Sequence, residues 1–272
     1  MLVTLITVCH NRRHTIGEAI RSVLCQDYPD IEYLIIDGAS TDGTTEEIRR
    51  VLAYEAAEGV TPLMRRHAQQ TVLVSEPDHG MYEALNKGMR LAKGDVIGMV
   101  HSDDVLFDPQ VVSRYVERFE RTAADLVYAD GQYVDAHDPQ VVRRLWVSGP
   151  FRRWKVRLGW LPLHPTVYIR RAAVSLDALY DEHYHVAADT KFLIHYLYEM
   201  PLRVCYLSRY TVRMRMGGLS TNVRGSRLVY DEDVSIYAGY GFRHPRTAKV
   251  MKMMWKVPQF FNALLRRCSS SN

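Results

Sequence analysis

Four short apolar runs constrain this chain most: Val3–Val8, Ile31–Ile36, Val72–Ser75 and Val96–Val100. Each is too short for a helix and is bounded by polar turn residues, so each reads as a strand. The runs are apolar almost throughout, which marks strands buried on both faces. Between them, apolar residues recur at helical spacing. Ile16, Ala19, Ile20, Val23 and Leu24 make one such set, with Thr15 as a cap; Met81, Leu85, Gly88, Met89 and Ala92 make another, closed by Gly94. Thr44 and Glu47 have the spacing of a capping box, and Thr61-Pro62 reads as a break in the helical region that follows. Strand–helix alternation with short loops predicts an α/β, Rossmann-like sheet, mostly parallel, with helices on both faces.

Beyond Asp104 the pattern changes. Asp108-Pro109 opens a helix to about Ala124. Strands are expected at Leu126–Tyr128 and Gln132–Val134 around Asp130-Gly131, at Thr166–Arg170, at Arg203–Tyr206 and at Thr211–Met216. A helix runs from Ala187 to Glu199, with Asp189 at its start, and the remainder reads as a helical tail.

Composition narrows the function classes. An apolar fraction of 47% over 272 residues supports a sizeable core, and a formal charge of +4 is too mild to demand nucleic acid. Cys9, Cys25, Cys205 and Cys268 lack metal-ligand spacing, so free thiols in a reducing, cytoplasmic compartment are expected. No apolar run is long enough to span a bilayer, and the first residues do not read as a signal peptide.

Ligands of open α/β sheets bind outside the carboxyl ends of the strands. Asp37 ends the second run there, and His101-Ser102-Asp103-Asp104 ends the fourth. Two adjacent carboxylates repel, so the pair is best explained by a cation or a sugar hydroxyl between them. The duller readings are a helix-capping acid for Asp37, a solvated turn for Asp103-Asp104 and a plain N-cap for Asp189.

Five pieces in order carry a resemblance: the first strand with His10-Asn11-Arg12; Ile35–Thr44; Asp78–Asp95; His101–Asp104; and Ala187-Ala188-Asp189 followed by a helix and Gly217-Gly218. Together they resemble a family 2 glycosyltransferase of the GT-A fold, similar to bacterial enzymes that build surface polysaccharides. The resemblance implies inverting transfer from a nucleoside-diphosphate sugar, with a UDP-sugar as the expected donor, to a glycan or lipid-linked hydroxyl. It implies a nucleotide-sugar-binding half at residues 1–104, an acceptor half of the same domain at 105–225, and the tail at 226–272. Asp103 and Asp104 match the family's DXD motif and would hold Mn²⁺ or Mg²⁺, with Asp103 also touching the donor. Asn11, Asp37, Asp78, Asn86, Gly217 and Gly218 fall around the nucleotide, and Asp189 matches the catalytic base. Two positions depart from the pattern: His101 replaces the first acid of the motif, and Gly38 stands where the loop after Asp37 usually has a second acid.

Other residues keep two readings. Gly88 fits the nucleotide pattern or close helix packing, and His164 approaches the diphosphate or is structural. The Arg/Trp-rich stretch from Arg143 to Trp160 is a solvated loop or a contact for anionic lipid or a lipid-diphosphate acceptor. In the tail, Val250, Met254, Val257, Phe261 and Leu264 recur at helical spacing with Arg246, Lys249, Lys252, Lys256, Arg266 and Arg267 beside them, and Pro258 interrupts them. That suits an interfacial helix or one packed on the core. Two rival classes are a sugar-nucleotide nucleotidyltransferase, which needs a glycine-rich basic loop where Cys9-His10-Asn11-Arg12 stands, and a non-catalytic binding descendant, which would be expected to lose the acids.

Overall fold

The computed structural model describes residues 1–257, except 137, 139 and 218–222, together with residue 259; of residues 223–226 it describes the backbone alone. Strands β1 (Val3–Cys9), β2 (Ile31–Asp37), β3 (Val72–Ser75) and β4 (Val96–Met99) are all parallel, in the order β3-β2-β1-β4. Alternate side chains enter opposite cores, as the two-residue repeat of a strand requires. Val3, Leu5, Tyr33 and Ile35 point one way, and Ile6, Val8, Leu34 and Ile36 the other. Helices α1 (Ile16–Leu24), α2 (Thr44–Glu58) and α3 (Pro62–Gln70) cover the first face, and α4 (Met81–Leu91) covers the second. Gly88 of α4 lies against β1: a Cβ there would sit 2.5 Å from Ile6 Cγ2, so close packing accounts for this glycine.

The sheet continues into the second half of the chain. It comprises β5 (Val105–Leu106), β6 (Leu126–Val134), β7 (Val142–Trp146), β8 (Tyr168–Arg170) and β9 (Val204–Arg215). β8 joins β4 to β6 antiparallel to both; β9 runs parallel to β6, β5 closes the edge against β9, and β7 pairs with the outer end of β6. Helix α5 (Val111–Thr122) packs on the first face. Helices α6 (Arg153–Arg157), α7 (Ala188–Ile194), α8 (Val223–Gly239) and α9 (Pro245–Met254) complete the second core through Val156, Phe192, Ile236, Tyr237 and Ala248.

Five details differ from the sequence expectation. The expected caps are not made: Thr15 stands at the cap of α1 without a side-chain cap bond, and Gly43 rather than Thr44 takes the cap position of α2, so no capping box forms with Glu47. Thr61-Pro62 starts a helix rather than breaking one: the Thr61 hydroxyl accepts from Met64 N at 3.1 Å, and Pro62 takes the first helical position, where a missing N–H costs nothing. Asp130-Gly131 is not a turn. β6 passes straight through it, and β9 likewise joins its two expected strands by bulging opposite Ala129–Gly131. Asp130 is buried there and accepts from the Tyr206 hydroxyl and from Ser148 N, at 2.7 Å in each case. The helix expected over 187–199 ends at Ile194, and residues 195–199 widen into a π-helical turn. The Arg/Trp-rich stretch is neither one loop nor uniform: it supplies β7 and α6, buries Trp160 and leaves Trp154 exposed.

Candidate active site

Parallel pairing brings the carboxyl ends of β1 to β4 to one edge, with Cys9, Asp37 and Ser75 side by side in register. Asp37 is fully buried, and five donors from four residues surround its carboxylate. They are Cys9 Sγ, Ser40 N, Ser40 Oγ, Thr45 Oγ1 and Ser75 Oγ, the last at 2.7 Å. Burial opposes its charge, but the Ser40 and Ser75 bonds prevail and hold its pKa below the ordinary value. A carboxylate so enclosed has no face left for a nucleotide, so the expected contact gives way to a positioning role. Asp37 fixes the 38–40 turn, in which Ala39 has φ 55°.

That turn and the next loop meet at Gly38. A Cβ at Gly38 would sit 2.4 Å from Asp78 Oδ2, so the Asp78 carboxylate occupies the space a second loop acid would need. Asp78 accepts from Gly80 N at 3.0 Å and is half-buried. Asn11 stands at the rim with φ 54°; its side-chain oxygen accepts from Thr41 N at 3.0 Å, while its own N–H donates to Ser40 Oγ at 2.8 Å.

The chain leaves β4 through His101–Asp104, a turn closed by Asp104 N donating to His101 O at 3.0 Å. Asp104 is 2% exposed. Its Oδ1 accepts from Arg215 N at 3.3 Å, and its buried Oδ2 has no hydrogen-bond partner. Burial, and then the adjacent Asp103 charge, raise the Asp104 pKa well above the ordinary value. An orphaned buried carboxylate oxygen beside a second, half-exposed carboxylate suits a hard divalent cation. Such ions commonly take one or two protein carboxylates and fill the remaining positions with phosphate oxygens and water. Among the described residues no group of three His, Cys, Asp or Glu converges, so the fit depends on ligands brought by a substrate.

Asp189 lies in the first turn of α7, whose cap position is Ala187. Its Oδ1 accepts from Thr190 N at 2.7 Å. The approach to the helix is held instead by Glu232 of α8, which accepts from His185 N, Val186 N and the cap residue's Ala187 N at 2.9, 3.0 and 2.9 Å. The dull reading of Asp189 as a plain N-cap therefore fails. Burial raises the Asp189 pKa, against the pull of the Lys252 cation. Beneath it, fully buried Asp233 pairs with Lys249 at 2.5 Å and Lys252 at 2.9 Å, and Lys252 also reaches Thr190 Oγ1 at 2.8 Å.

Two further expectations are corrected. Asn86 is 2% exposed and is consumed by the loop before α7. Its amide donates to Tyr180 O at 2.8 Å and Glu182 Oε1 at 2.7 Å, and its oxygen accepts from Tyr180 N at 2.9 Å. It clamps α4 to that loop and has nothing left for a nucleotide. His164 is buried, with Nε2 2.8 Å from the Tyr180 hydroxyl; burial and then the His101 ring push it down to about 3, so it is a neutral packing residue. Gly217 lies two residues past β9, with φ 109° and open space where a Cβ would stand; Gly218 lies outside the described residues. A shallow hollow of about 540 Å³ between α2, α3 and β3 holds none of the expected site residues. Sequence reasoning missed Glu232, Asp233 and Arg215, which reach the site only through folding.

Residues 4–182 match the model of glycosyl transferase family 2. The chain belongs to that family. An uncharacterized glycosyltransferase of Mycobacterium tuberculosis is 34% identical over 116 residues, which cover 42% of this chain and 38% of the relative. A PGL/p-HBAD biosynthesis glycosyltransferase of Mycobacterium bovis is 26% identical over 178 residues, covering 64% of this chain and 60% of the relative. The matches thus span 38% and 60% of these relatives' own length, less than two thirds in each case. Among solved structures, S. aureus TarS 1–349 in complex with UDP-GlcNAc has a TM-score of 0.64 at 18% identity, covering 97% of this chain and 80% of TarS. A mannosyltransferase from Pyrobaculum calidifontis in complex with GDP-Man and Mn²⁺ has a TM-score of 0.63 at 16% identity, covering 98% of this chain and 75% of the other. The fold is the GT-A fold that the family 2 motifs imply.

Removing the Glu232 carboxylate strands three N–H groups leading into α7. Glu232→Ala should cost roughly 2–4 kcal/mol, since hydrogen bonds to a charged group are worth about 1.5–3 kcal/mol each and do not add fully. A thermal or denaturant melt reads this; an unchanged midpoint would show that α7 needs no such support.

Proposed function

We propose that this chain is an inverting glycosyltransferase that moves a sugar from a UDP-sugar to a hydroxyl of a glycan or lipid-linked acceptor, in bacterial cell-surface polysaccharide or glycolipid synthesis. One observation carries the reading. At the carboxyl end of β4 the buried Asp104 Oδ2 has no hydrogen-bond partner among the described residues and lies beside a second carboxylate, Asp103, which suits a metal-bound diphosphate. Complexes of similar folds with UDP-GlcNAc and with GDP-Man and Mn²⁺ support a sugar-nucleotide donor.

In this mechanism Asp189 accepts the proton of the acceptor hydroxyl as that oxygen attacks the anomeric carbon. The anomeric carbon–oxygen bond to the diphosphate breaks, and its electron pair leaves with the diphosphate. A raised base pKa suits this work, because proton transfer is most effective when the base titrates near the working pH. Asp103 and Asp104 would hold a divalent metal, Mn²⁺ or Mg²⁺, which neutralises the departing diphosphate. Asp78, lying over Gly38, is placed to read the nucleotide in the position of the missing loop acid. Asn11 and Gly217 border the same edge in this reading.

The setting we infer is cytoplasmic, at the inner face of the cell membrane. No described helix is long and apolar enough to cross a membrane. Helix α9 nevertheless turns Val250, Met253 and Met254 outward, each at least 50% exposed, and Val257 beyond it is also exposed. Arg243 and Arg246 stand exposed beside them. Lys249 and Lys252 do not share that role, because both turn inward to Asp233. Phe261, Leu264, Arg266, Arg267 and Pro258 lie outside the described residues.

Incubation with labelled sugar nucleotides, with and without Mn²⁺, tests the activity. Asp189→Asn should lower transfer roughly 10²–10⁴-fold, the usual contribution of general-base catalysis, while the thermal midpoint stays near wild type. Full activity in that variant would remove Asp189 from the chemistry. For the membrane contact, the double variant Met253→Glu with Met254→Glu should weaken co-sedimentation with anionic liposomes about tenfold or more, because each buried Met contributes roughly 1.5–3 kcal/mol. A wild-type chain that never sediments with such liposomes at low salt would contradict the contact.

A further inference from the structure

The fold brings together two stretches that the sequence leaves without acids. No Asp or Glu lies between Asp138 and Asp177, and none follows Asp233. Within the first stretch, Arg152, Arg153, Lys155 and Arg157 crowd into and around α6. Trp154 stands among them, 57% exposed, and Leu158 beyond it is also exposed. Arg152, Arg153 and Arg157 are exposed as well. Glu199 lends its carbonyl to Arg153 at 3.1 Å but turns its carboxylate to His195, at 2.8 Å. The second stretch supplies α9, where Arg246, Val250 and Met253 recur at helical spacing and share the outward face. α6 and α9 touch directly. Trp255 Nε1 donates to Leu158 O at 3.0 Å, and Gly159 backs onto α9 so closely that a Cβ would stand 2.2 Å from Ala248 O.

A large indole standing in water is unfavourable unless something covers it, and the cations around it select what can. The headgroup layer of a bilayer fits both. The ring belongs at the boundary between apolar and polar layers, and arginines beside it meet anionic headgroups. We propose that the α6 corner, through Trp154, Arg152 and Arg157, docks on an anionic bilayer together with the outward face of α9. A second copy of the chain is a poor occupant, because two acid-free basic faces repel. The inner side of α9 links this face to the chemistry: Lys252 donates to Thr190 Oγ1 at 2.8 Å, next to Asp189. The candidate base thus lies one helix diameter, roughly 10–12 Å, behind the docked face, which suits the lipid-linked of the two acceptor classes. The proposal rests on the membrane contact of α9 and on the glycosyl-transfer reading.

The test is co-sedimentation of the full chain with vesicles of phosphatidylcholine alone and of phosphatidylcholine with phosphatidylglycerol. Wild type should sediment with the anionic vesicles and much less with the neutral ones. Arg152→Gln with Arg157→Gln should weaken binding to the anionic vesicles about tenfold or more, since each cation near such a surface is worth roughly fivefold. Trp154→Ala should weaken it as well, with the thermal midpoint unchanged in both variants. If both α6 variants bind like wild type while Met253→Glu with Met254→Glu does not, α9 docks alone: the proposal fails and the membrane contact stands. If wild type sediments with neither vesicle, contact and proposal fall together, and sugar transfer measured in solution decides the glycosyl-transfer reading separately. Equal binding to neutral and anionic vesicles would overturn the role of the arginines. A chain that binds soluble polyglutamate but neither vesicle would carry a site for an acidic protein here, which also overturns the bilayer.

Discussion

Everything at this site depends on parallel pairing of the first four strands. A parallel pair cannot close with a hairpin, so each strand returns through a helix and delivers its loop to the same edge. Four loops from distant parts of the sequence thereby meet along one edge. Such an edge is crowded with polar groups, and the buried Asp37 carboxylate organises them. It draws donors from β1, the 38–40 turn, α2 and β3, and its own charge is sustained by those bonds. The Asp78 carboxylate can then lie over Gly38, where the absence of a side chain leaves it room.

The second half of the chain supplies what that edge lacks. β8 and β6 extend the sheet, and the loop before α7 is clamped to α4 by Asn86 and Tyr180. Glu232 then holds the approach to α7, and Asp189 stands inside the helix rather than at its cap. The buried Asp233–Lys249–Lys252 group pins α9 to the same place. Replacing either side of such a group alone would leave an uncompensated buried charge, typically a loss of about 3–5 kcal/mol. The C-terminal helices are therefore part of the candidate site as well as a cover for the core.

The sequence disclosed the first half well because its signals are local. A β-branched run between turn residues is decided within a few residues, and β1 to β4 fall within a residue or so of their expected bounds. The strand-end acids were equally legible, since a carboxylate pair after a buried run has few explanations. What failed depends on partners far along the chain. Asp37 looked like a ligand contact because it ends a strand, and Asn86 because the family resemblance implies it; in the fold the bonds of both are filled from within the chain. Asp130-Gly131 looked like a turn because its partners, Tyr206 and Ser148, lie many residues away. The lysines of α9 suited a membrane face or the core equally from sequence, because their counter-ion, Asp233, sits on another helix.

The central claim is that the orphaned oxygen of Asp104 and the neighbouring Asp103 hold a divalent ion together with a nucleoside diphosphate. Crystals of the chain grown with UDP and Mn²⁺, measured for the anomalous signal of manganese, test it most directly. The account predicts one strong peak within about 2.0–2.5 Å of Asp104 Oδ2 or of an Asp103 carboxylate oxygen, bridged to the diphosphate. UDP bound at this edge without manganese, or manganese seated away from both carboxylates, would contradict it.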